Sequence, residues 1–274
     1  MLDFKINDEK CIECGLCVQE CPVRIIQLDP KPVIIAEKEK NCLKCQHCLA
    51  VCPTAALSIL GKDPEDSVSS KDEMPNPKAL DNLIKTRRSI RKYKDEEVDQ
   101  ALIDELLATT AHAPTGHNSN SILLSVTDTK EATNKFRDAV YASIKAAAEK
   151  EEPAGRLKVL ASCQRVWEKN AVDILFRGAP HVLIASGPNK TTSPAADSII
   201  ALSYFELLAN SHNIGTLWNG MVKWAIEDID PSLRTLIGIP EDHTIGYVLI
   251  FGKSAVKYAR AIQSQGLHLN RIKL

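Results

Sequence analysis

The hydrophobic pattern along the 274-residue chain breaks once. Between residues 61 and 77 a glycine, three prolines, three serines and five acids replace any apolar periodicity, which predicts a linker. A flexible chain of that length has an r.m.s. span of roughly 20–25 Å, long enough to let a small domain dock and short enough to keep it near. Downstream, from Lys78, helix and strand patterns alternate. Residues 79–86 read as a helix, and Asp95 is placed to cap a second one running through Leu106. Residues 130–148, rich in Ala, Glu and Lys, predict a long helix, and 195–209 an apolar one. Short apolar runs at 122–126, 182–185 and 247–251 have the length of buried strands. These elements do not repeat as regular βαβ units, so the expected class is α+β rather than a doubly wound sheet. The organisation expected is a small domain over 1–60, a linker over 61–77 and a larger domain over 78–274.

Upstream of the gap the chain repeats itself. Cys11-Ile12-Glu13-Cys14-Gly15-Leu16-Cys17-Val18-Gln19-Glu20-Cys21-Pro22 recurs 31 residues later as Cys42-Leu43-Lys44-Cys45-Gln46-His47-Cys48-Leu49-Ala50-Val51-Cys52-Pro53. Repeats this short cannot each bury a hydrophobic face, so the pair is expected to fold as one unit. Eight of the nine cysteines lie here; the ninth, Cys163, stands alone in a helical-looking stretch and reads as a small buried hydrophobe.

Charge and composition narrow the setting. A net charge of −1 argues against a nucleic-acid partner held through phosphates. No apolar run approaches the roughly 20 residues that span a membrane, and the first residues lack a signal-peptide core. A cytoplasmic location is the resulting expectation, and there dense cysteines are metal ligands more often than disulfides. Residues 1–60 carry seven basic and eight acidic side chains and residues 61–77 two and five, leaving +3 beyond, which suits an anionic cofactor.

Each cysteine run has the spacing C-x2-C-x2-C-x3-C-P, the bacterial iron–sulfur run in which the fourth cysteine serves the other cluster. Three thiolates two residues apart can wrap one face of a cube, and the fourth, released by proline, reaches its neighbour. The expected ligand sets are Cys11, Cys14, Cys17 and Cys52 for cluster one, and Cys42, Cys45, Cys48 and Cys21 for cluster two. Structural zinc also takes four cysteines, but usually as two separated pairs. A thioredoxin-like pair would need a βαβ context that is absent. Residues 1–60 resemble a two-[4Fe–4S] ferredoxin. His47 could donate to a cluster sulfur, or stand as a plain surface histidine.

The larger domain has neither a G-x-G-x-x-G run nor a P-loop. Four other segments carry candidate chemistry. Thr86-Arg87-Arg88-Ser89-Ile90-Arg91-Lys92-Tyr93 places arginine forks and a hydroxyl at a helix end, as a phosphate monoester would need, or as a solvated cationic helix end would show. Ala113-Pro114-Thr115-Gly116-His117-Asn118-Ser119-Asn120 is a polar, turn-rich stretch in which Asn118 could bond a cofactor ring or ribityl chain. Ile214-Gly215-Thr216-Leu217-Trp218-Asn219-Gly220 offers glycine for close approach to a flat ring, or a tight turn beside a core tryptophan. Gly252-Lys253-Ser254-Ala255-Val256-Lys257-Tyr258-Ala259-Arg260 follows a strand with late basic residues.

In this order the four segments resemble the nitroreductase family of FMN enzymes, over residues 78–262. The resemblance implies an α+β flavoprotein homodimer with FMN at the subunit interface. It implies phosphate contacts from Arg87, Ser89 and Arg91, with Arg88 beside them and Lys257 and Arg260 as later partners. It sets Asn118 beside the flavin, and the backbone N–H groups of Asn219 and Gly220 toward flavin N5 and O4. Asn219 departs from the apolar residue, proline or glutamate common there, which bears on polarity at N5. The tail, residues 262–274, is expected to wrap the partner subunit.

The fusion gives the functional expectation. A low-potential donor (a ferredoxin, a hydrogenase or NAD(P)H) would reduce two [4Fe–4S] clusters, which pass electrons to FMN, and FMN would reduce a small organic acceptor such as a nitro compound or quinone. The flavin does the hard chemistry, and no side chain need act as nucleophile. The alternative is an electron relay in which FMN converts between one- and two-electron transfer for a partner protein.

Overall fold

The computed structural model describes residues 2–70 and 74–273. It divides into two compact units, Met1–Pro75 and Asn76–Leu274.

The first unit is built on the repeat. Strand β1 (Lys5–Ile6) and helix α1 (Leu16–Glu20) lead to a hairpin of β2 (Ile26–Asp29) and β3 (Lys31–Ile34), then to α2 (His47–Ala50) and β4 (Leu57–Ser58). β1 pairs antiparallel with β4, and β2 with β3. The sequence repeat is also a repeat of backbone conformation. Left-handed φ occurs at Glu13 and Lys44 (56° and 54°), at Gly15 and Gln46 (70° and 59°), and at Arg24 and Ala55 (51° and 52°). Each pair is again 31 residues apart. Only glycine adopts this region freely, so its recurrence at five other residue types marks an over-determined backbone. The core is small: Ile25, Ile26, Leu49, Leu57 and Ile59 pack around Cys17, Cys21 and Cys48. An apolar core of this size needs a further staple, which a metal centre can provide.

In the second unit α3 (Pro77–Thr86) and α4 (Gln100–Thr110) precede β5 (Leu123–Val126). Two long helices follow, α5 (Lys130–Lys150) and α6 (Gly155–Asn170), then β6 (His181–Pro188) and α7 (Pro194–Ser211). β7 (Ile214–Trp218), α8 (Gly220–Trp224) with a π-helical turn (Ala225–Ile229), α9 (Leu233–Leu236) and β8 (His243–Lys253) complete it. The sheet is antiparallel throughout in the order β5-β6-β8-β7. Its two central strands are covered on both faces. Val182, Ile184, Val248 and Ile250 point toward a core shared with α5, α6 and α8. The alternate residues Leu183, Ala185, Leu249 and Phe251 meet α4 and α7. Period-two alternation with both faces apolar explains why these strands read as continuous hydrophobic runs. The α+β class is as expected.

Two local expectations are corrected. Asp95 caps no helix: Asp99 does, accepting the Ala101 N–H at 2.9 Å, and α4 begins at Gln100. Residues 95–98 are non-helical, with a bend at 95–96, and buried Val98 donates its N–H to His181 Nε2 at 2.9 Å. The segment around Gly215, read as a turn or a ring contact, is the edge strand β7. Cys163 is buried on α6, as a small hydrophobe would be. Among the described residues no helix is long and apolar enough to cross a membrane.

Candidate functional site

The eight cysteines of the first unit line two separate cavities. Cys11, Cys14, Cys17 and Cys52 line one, with Gly15, Leu16, Thr54 and Ala56. Cys21, Cys42, Cys45 and Cys48 line the other, with Pro22, Val23, Gln46 and His47. Each cavity therefore draws three cysteines from one run and the fourth from the other. Among the described residues no three Cys, His, Asp or Glu side chains converge on a point that could hold a single ion. The thiols stand around the wall of a space instead, a donor set suited to a multi-iron cluster whose corners each take one sulfur.

The backbone shapes both cavities. The left-handed residues on either side of Cys14 and Cys45 are the kind of turn that gathers N–H groups into an anion-binding nest. Cys42 Sγ accepts the Lys44 N–H at 3.3 Å, and Cys52 Sγ accepts the Ala56 N–H at 3.2 Å. Burial pushes the Cys48 thiol up to about 11 and raises Cys17 as well. At Cys52 burial pushes the same way, but the N–H groups of Ala56, Thr54 and Leu57 and the Thr54 hydroxyl outweigh it and lower the value. His47 is exposed, with Nδ1 3.5 Å from a Glu20 carboxylate oxygen.

In the second unit the arginine segment lies against the sheet as an extended strap. Ser89 bridges Thr216 of β7, and Ile90 donates its N–H to the Thr216 carbonyl at 2.9 Å. Farther along, Lys94 N–H meets Lys253 O at 2.8 Å and Ala255 N–H meets Lys92 O at 2.9 Å. This pairing brings Arg87, Arg88, Ser89 and Arg91 to the edge where the late basic segment starts. Lys257 lies two residues past that pairing; both it and Arg260 are exposed. No contact among the described residues fixes Arg260.

Within the strap the guanidiniums differ. Arg87 is held by buried Glu206, Nη1 to Oε1 at 3.1 Å, and the same oxygen accepts the Thr216 hydroxyl at 3.0 Å. Arg88 donates Nη2 to the Lys85 carbonyl, while its Nε is buried with no partner. Arg91 reaches back to the Ser89 carbonyl at 3.4 Å. A buried guanidinium N–H without an acceptor is costly, and a phosphate oxygen would satisfy it. The donor set of the strap fits an anionic phosphate monoester.

The Asn118 loop lies at the other end of α7. The Gly116 N–H is 3.1 Å from both oxygens of Asp197, a buried carboxylate in the first turn of that helix. His117 Nδ1 sits 3.0 Å from Thr192 Oγ1. His117, Asn118 and Asn120 all have left-handed φ, 53°, 53° and 45°. Asp197 precedes Glu206 by nine residues, so the anchors of loop and strap stand about 13 Å apart along the helix axis. Sequence reading missed Asp197 and Glu206; an acid inside an otherwise apolar helix was the available signal.

Asn219 is engaged by the fold. Its N–H donates to Val248 O at 2.8 Å. Its side chain caps α8 by accepting the Val222 N–H at 3.1 Å and donates to Leu175 O at 2.8 Å. The expectation that the Asn219 N–H faces a flavin is therefore corrected: the β8 ladder takes that donor. The N–H groups of Gly220 and Met221, the first of α8, have no partner among the described residues. Gly215 also serves the frame, since a Cβ there would stand 2.4 Å from Ile90 Cγ1.

Comparison with known proteins places this geometry in a family. Residues 84–253 match the nitroreductase family model, and residues 4–59 match that of a 4Fe-4S dicluster domain. A Methanothermobacter thermautotrophicus protein, provisionally named an NADH dehydrogenase/NAD(P)H nitroreductase, is 28% identical over 168 residues, covering 61% of this chain and 72% of its own. Among solved structures, an FMN-bound nitroreductase from Bacteroides fragilis superposes with TM-score 0.57 at 18% identity, covering 72% of this chain and 100% of its own. One from Desulfitobacterium hafniense, also with bound FMN, gives 0.56 at 20% identity, with 73% and 100% covered. The chain belongs to the nitroreductase family of oxidoreductases and carries a 4Fe-4S ferredoxin domain ahead of that fold.

Proposed function

We propose that this protein is an iron–sulfur flavoprotein of the cytoplasm that carries electrons from a low-potential donor, through two [4Fe–4S] clusters and FMN, to a small organic acceptor such as a nitro compound or quinone. The observation that carries the reading is the crossed sharing of cysteines between the two cavities. When bound, the clusters supply one-electron steps and the flavin supplies one- and two-electron steps. The chain's own residues bind and orient. Cys11, Cys14, Cys17 and Cys52 hold one cluster, and Cys42, Cys45, Cys48 and Cys21 the other. Arg87, Arg88, Ser89 and Arg91 hold the FMN phosphate, with Lys257 and Arg260 closing from the tail and Asn118 beside the flavin. Glu206 fixes the direction of Arg87. Gly220 contributes its N–H at the start of α8.

The flavin site is completed by a second copy of the chain. Helix α3 buries none of its side chains although Leu80 and Ile84 form an apolar face, and Ile262, Leu267, Leu269 and Ile272 of the tail are likewise exposed. A homodimer covers such surfaces.

The test is to purify the protein without oxygen, assay iron, acid-labile sulfide and flavin, and then replace Cys14 and Cys45 by serine. Loss of turnover with a ferredoxin-type donor, with FMN retained, is the expected result. Zinc in place of iron, no flavin, or undiminished turnover in the serine variants would reject the proposal.

A further inference from the structure

The two halves of the ferredoxin unit share one backbone but not one chemistry. The fourth cysteine of each run opens a matching turn, Cys21-Pro22-Val23-Arg24-Ile25 and Cys52-Pro53-Thr54-Ala55-Ala56. The turns are closed alike, by Arg24 N–H to Cys21 O at 3.1 Å and by Ala55 N–H to Cys52 O at 3.3 Å, with φ 51° and 52° at their third residues after cysteine. Their sulfurs are treated differently. Cys52 Sγ receives the Ala56 N–H at 3.2 Å and faces the Thr54 hydroxyl at 3.8 Å. Among the described residues Cys21 Sγ receives neither bond, and the residue matching Thr54 in its turn is Val23, which has no hydroxyl.

We propose that the quartet closed by Cys52 is the higher-potential centre and that Thr54 helps set the difference. This rests on the two-cluster reading above. A cysteine bound to iron has lost its proton, so Thr54 must be the donor in its contact with Cys52. Hydrogen bonds into a ligand sulfur withdraw charge and favour the reduced, more negative cluster. Exposure works in the same direction. The Cys52 quartet includes exposed Cys14 and has only Cys17 buried, whereas both Cys21 and Cys48 are buried in the other. Burial disfavours the added negative charge. The Lys44 N–H on Cys42 opposes this order, and the Leu49 N–H at Cys48 is matched by the Val18 N–H at Cys17, so the exposure difference and the Thr54 hydroxyl are what separate the two quartets. Neighbouring charges oppose this order only weakly: Glu13 beside Cys14 answers to Lys44 beside Cys45, but both are exposed to screening water, and Lys31 is paired with Asp8 at 2.7 Å. A single electron reaching the unit settles on the Cys52 side: the Cys21-side cluster is oxidised by one electron, its neighbour is reduced by one, and no proton moves.

The experiment is an anaerobic potentiometric titration of the full-length holoprotein, read by the paramagnetic resonance of the reduced clusters. The wild type should show two midpoints. Thr54→Val should lower the upper one toward the lower, Thr54→Ser should restore it, and Val23→Thr should raise the lower one. Coincident midpoints in the wild type, or an upper midpoint that Thr54→Val leaves in place, overturn the assignment. Should Thr54→Val fail to assemble, Val23→Thr decides alone: a lower midpoint that does not rise rejects the proposal. Iron and sulfide short of two cubanes in the wild type would overturn the two-cluster reading itself, a different result from equal potentials.

Discussion

Gly215 joins the sheet to the arginine strap, and replacing it by alanine shows what the strap is worth. A Cβ at this position would lie 2.4, 2.9 and 3.1 Å from Cγ1, Cβ and Cγ2 of Ile90. Restoring ordinary contact at 3.4 Å needs a movement of about 1 Å. Ile90 cannot swing away: it is β-branched and stiff at χ1, only 6% exposed, and tied by its N–H to Thr216 O at 2.9 Å. Overpacking of this kind costs about 1–3 kcal/mol. If the core absorbs the strain, Gly215→Ala unfolds more easily by that amount. If the strap lifts instead, and holds the FMN phosphate as proposed, the strain appears as weaker FMN binding, and 2 kcal/mol corresponds to roughly a 30-fold higher Kd. Denaturant unfolding and flavin-fluorescence titration together capture both routes. Ile90→Ala removes the two γ carbons but leaves Cβ, so the double variant should be relieved in part, with a coupling of about 1 kcal/mol or more in a double-mutant cycle. Unchanged stability and unchanged Kd in Gly215→Ala, or strict additivity in the cycle, would refute the account of how the strap is seated.

Two further outcomes follow from the helix cap and the buried histidine. Asp99→Ala should destabilise the larger unit by about 1 kcal/mol, the usual loss for an N-cap. Asp95→Ala should cost less, because its partner Lys130 is met at the surface, where ion pairs contribute about 0–1 kcal/mol; equal losses in denaturant melts would place the cap wrongly. His181 receives the Val98 N–H at Nε2, and its Nδ1 faces the Thr127 carbonyl at 2.8 Å, so the neutral ring with the proton on Nδ1 is the form the fold requires. Burial holds it below the ordinary 6.5, opposed by the Thr127 carbonyl and by Glu97 and Asp128. The unfolded chain therefore takes up this proton first, and the stability His181 provides is present above about pH 6.5 and lost as pH falls toward its folded value. His181→Gln should be less stable at neutral pH and less pH-dependent between pH 7.5 and 5; parallel pH profiles for the two proteins would exclude this role.

The sequence was legible where one local rule decided the matter. The crossed grouping of the cysteines around two cavities could be read because the motif occurs twice at a fixed offset, and each copy carries its own proline-trailed fourth cysteine. The central strands could be read because burial on both faces makes them continuously apolar. The cap at Asp99 was missed because two aspartates four residues apart both precede the helix. What chooses between them is the Val98–His181 bond, made 83 positions away in the chain. β7 was missed for a similar reason: its glycine looks like a turn until Ile90 is seen to need the space. Glu206 escaped notice because its guanidinium partner, Arg87, lies 119 positions upstream, and its other partner, Thr216, sits on the strand that was read as a turn.

The weakness of the cofactor-facing motifs has the same physical origin. Glycine and asparagine suggest a flat ligand approached by backbone, yet a tightly packed frame asks for the same residues. A Cβ on Gly220 would come within 2.9 Å of the Tyr247 hydroxyl and make that side-chain tip shift, so packing favours small size there before any ligand arrives. Asn219 is polar, but both ends of its amide are bonded inward, to Val222 and Leu175, and it offers no polarity to a ring. What the segment can present to a cofactor is main chain: the first N–H groups of α8, held in direction by the Asn219 cap. On the function proposed above, side-chain identity at position 219 would bear on the cofactor through the rigidity of that cap, and not through polarity of its own.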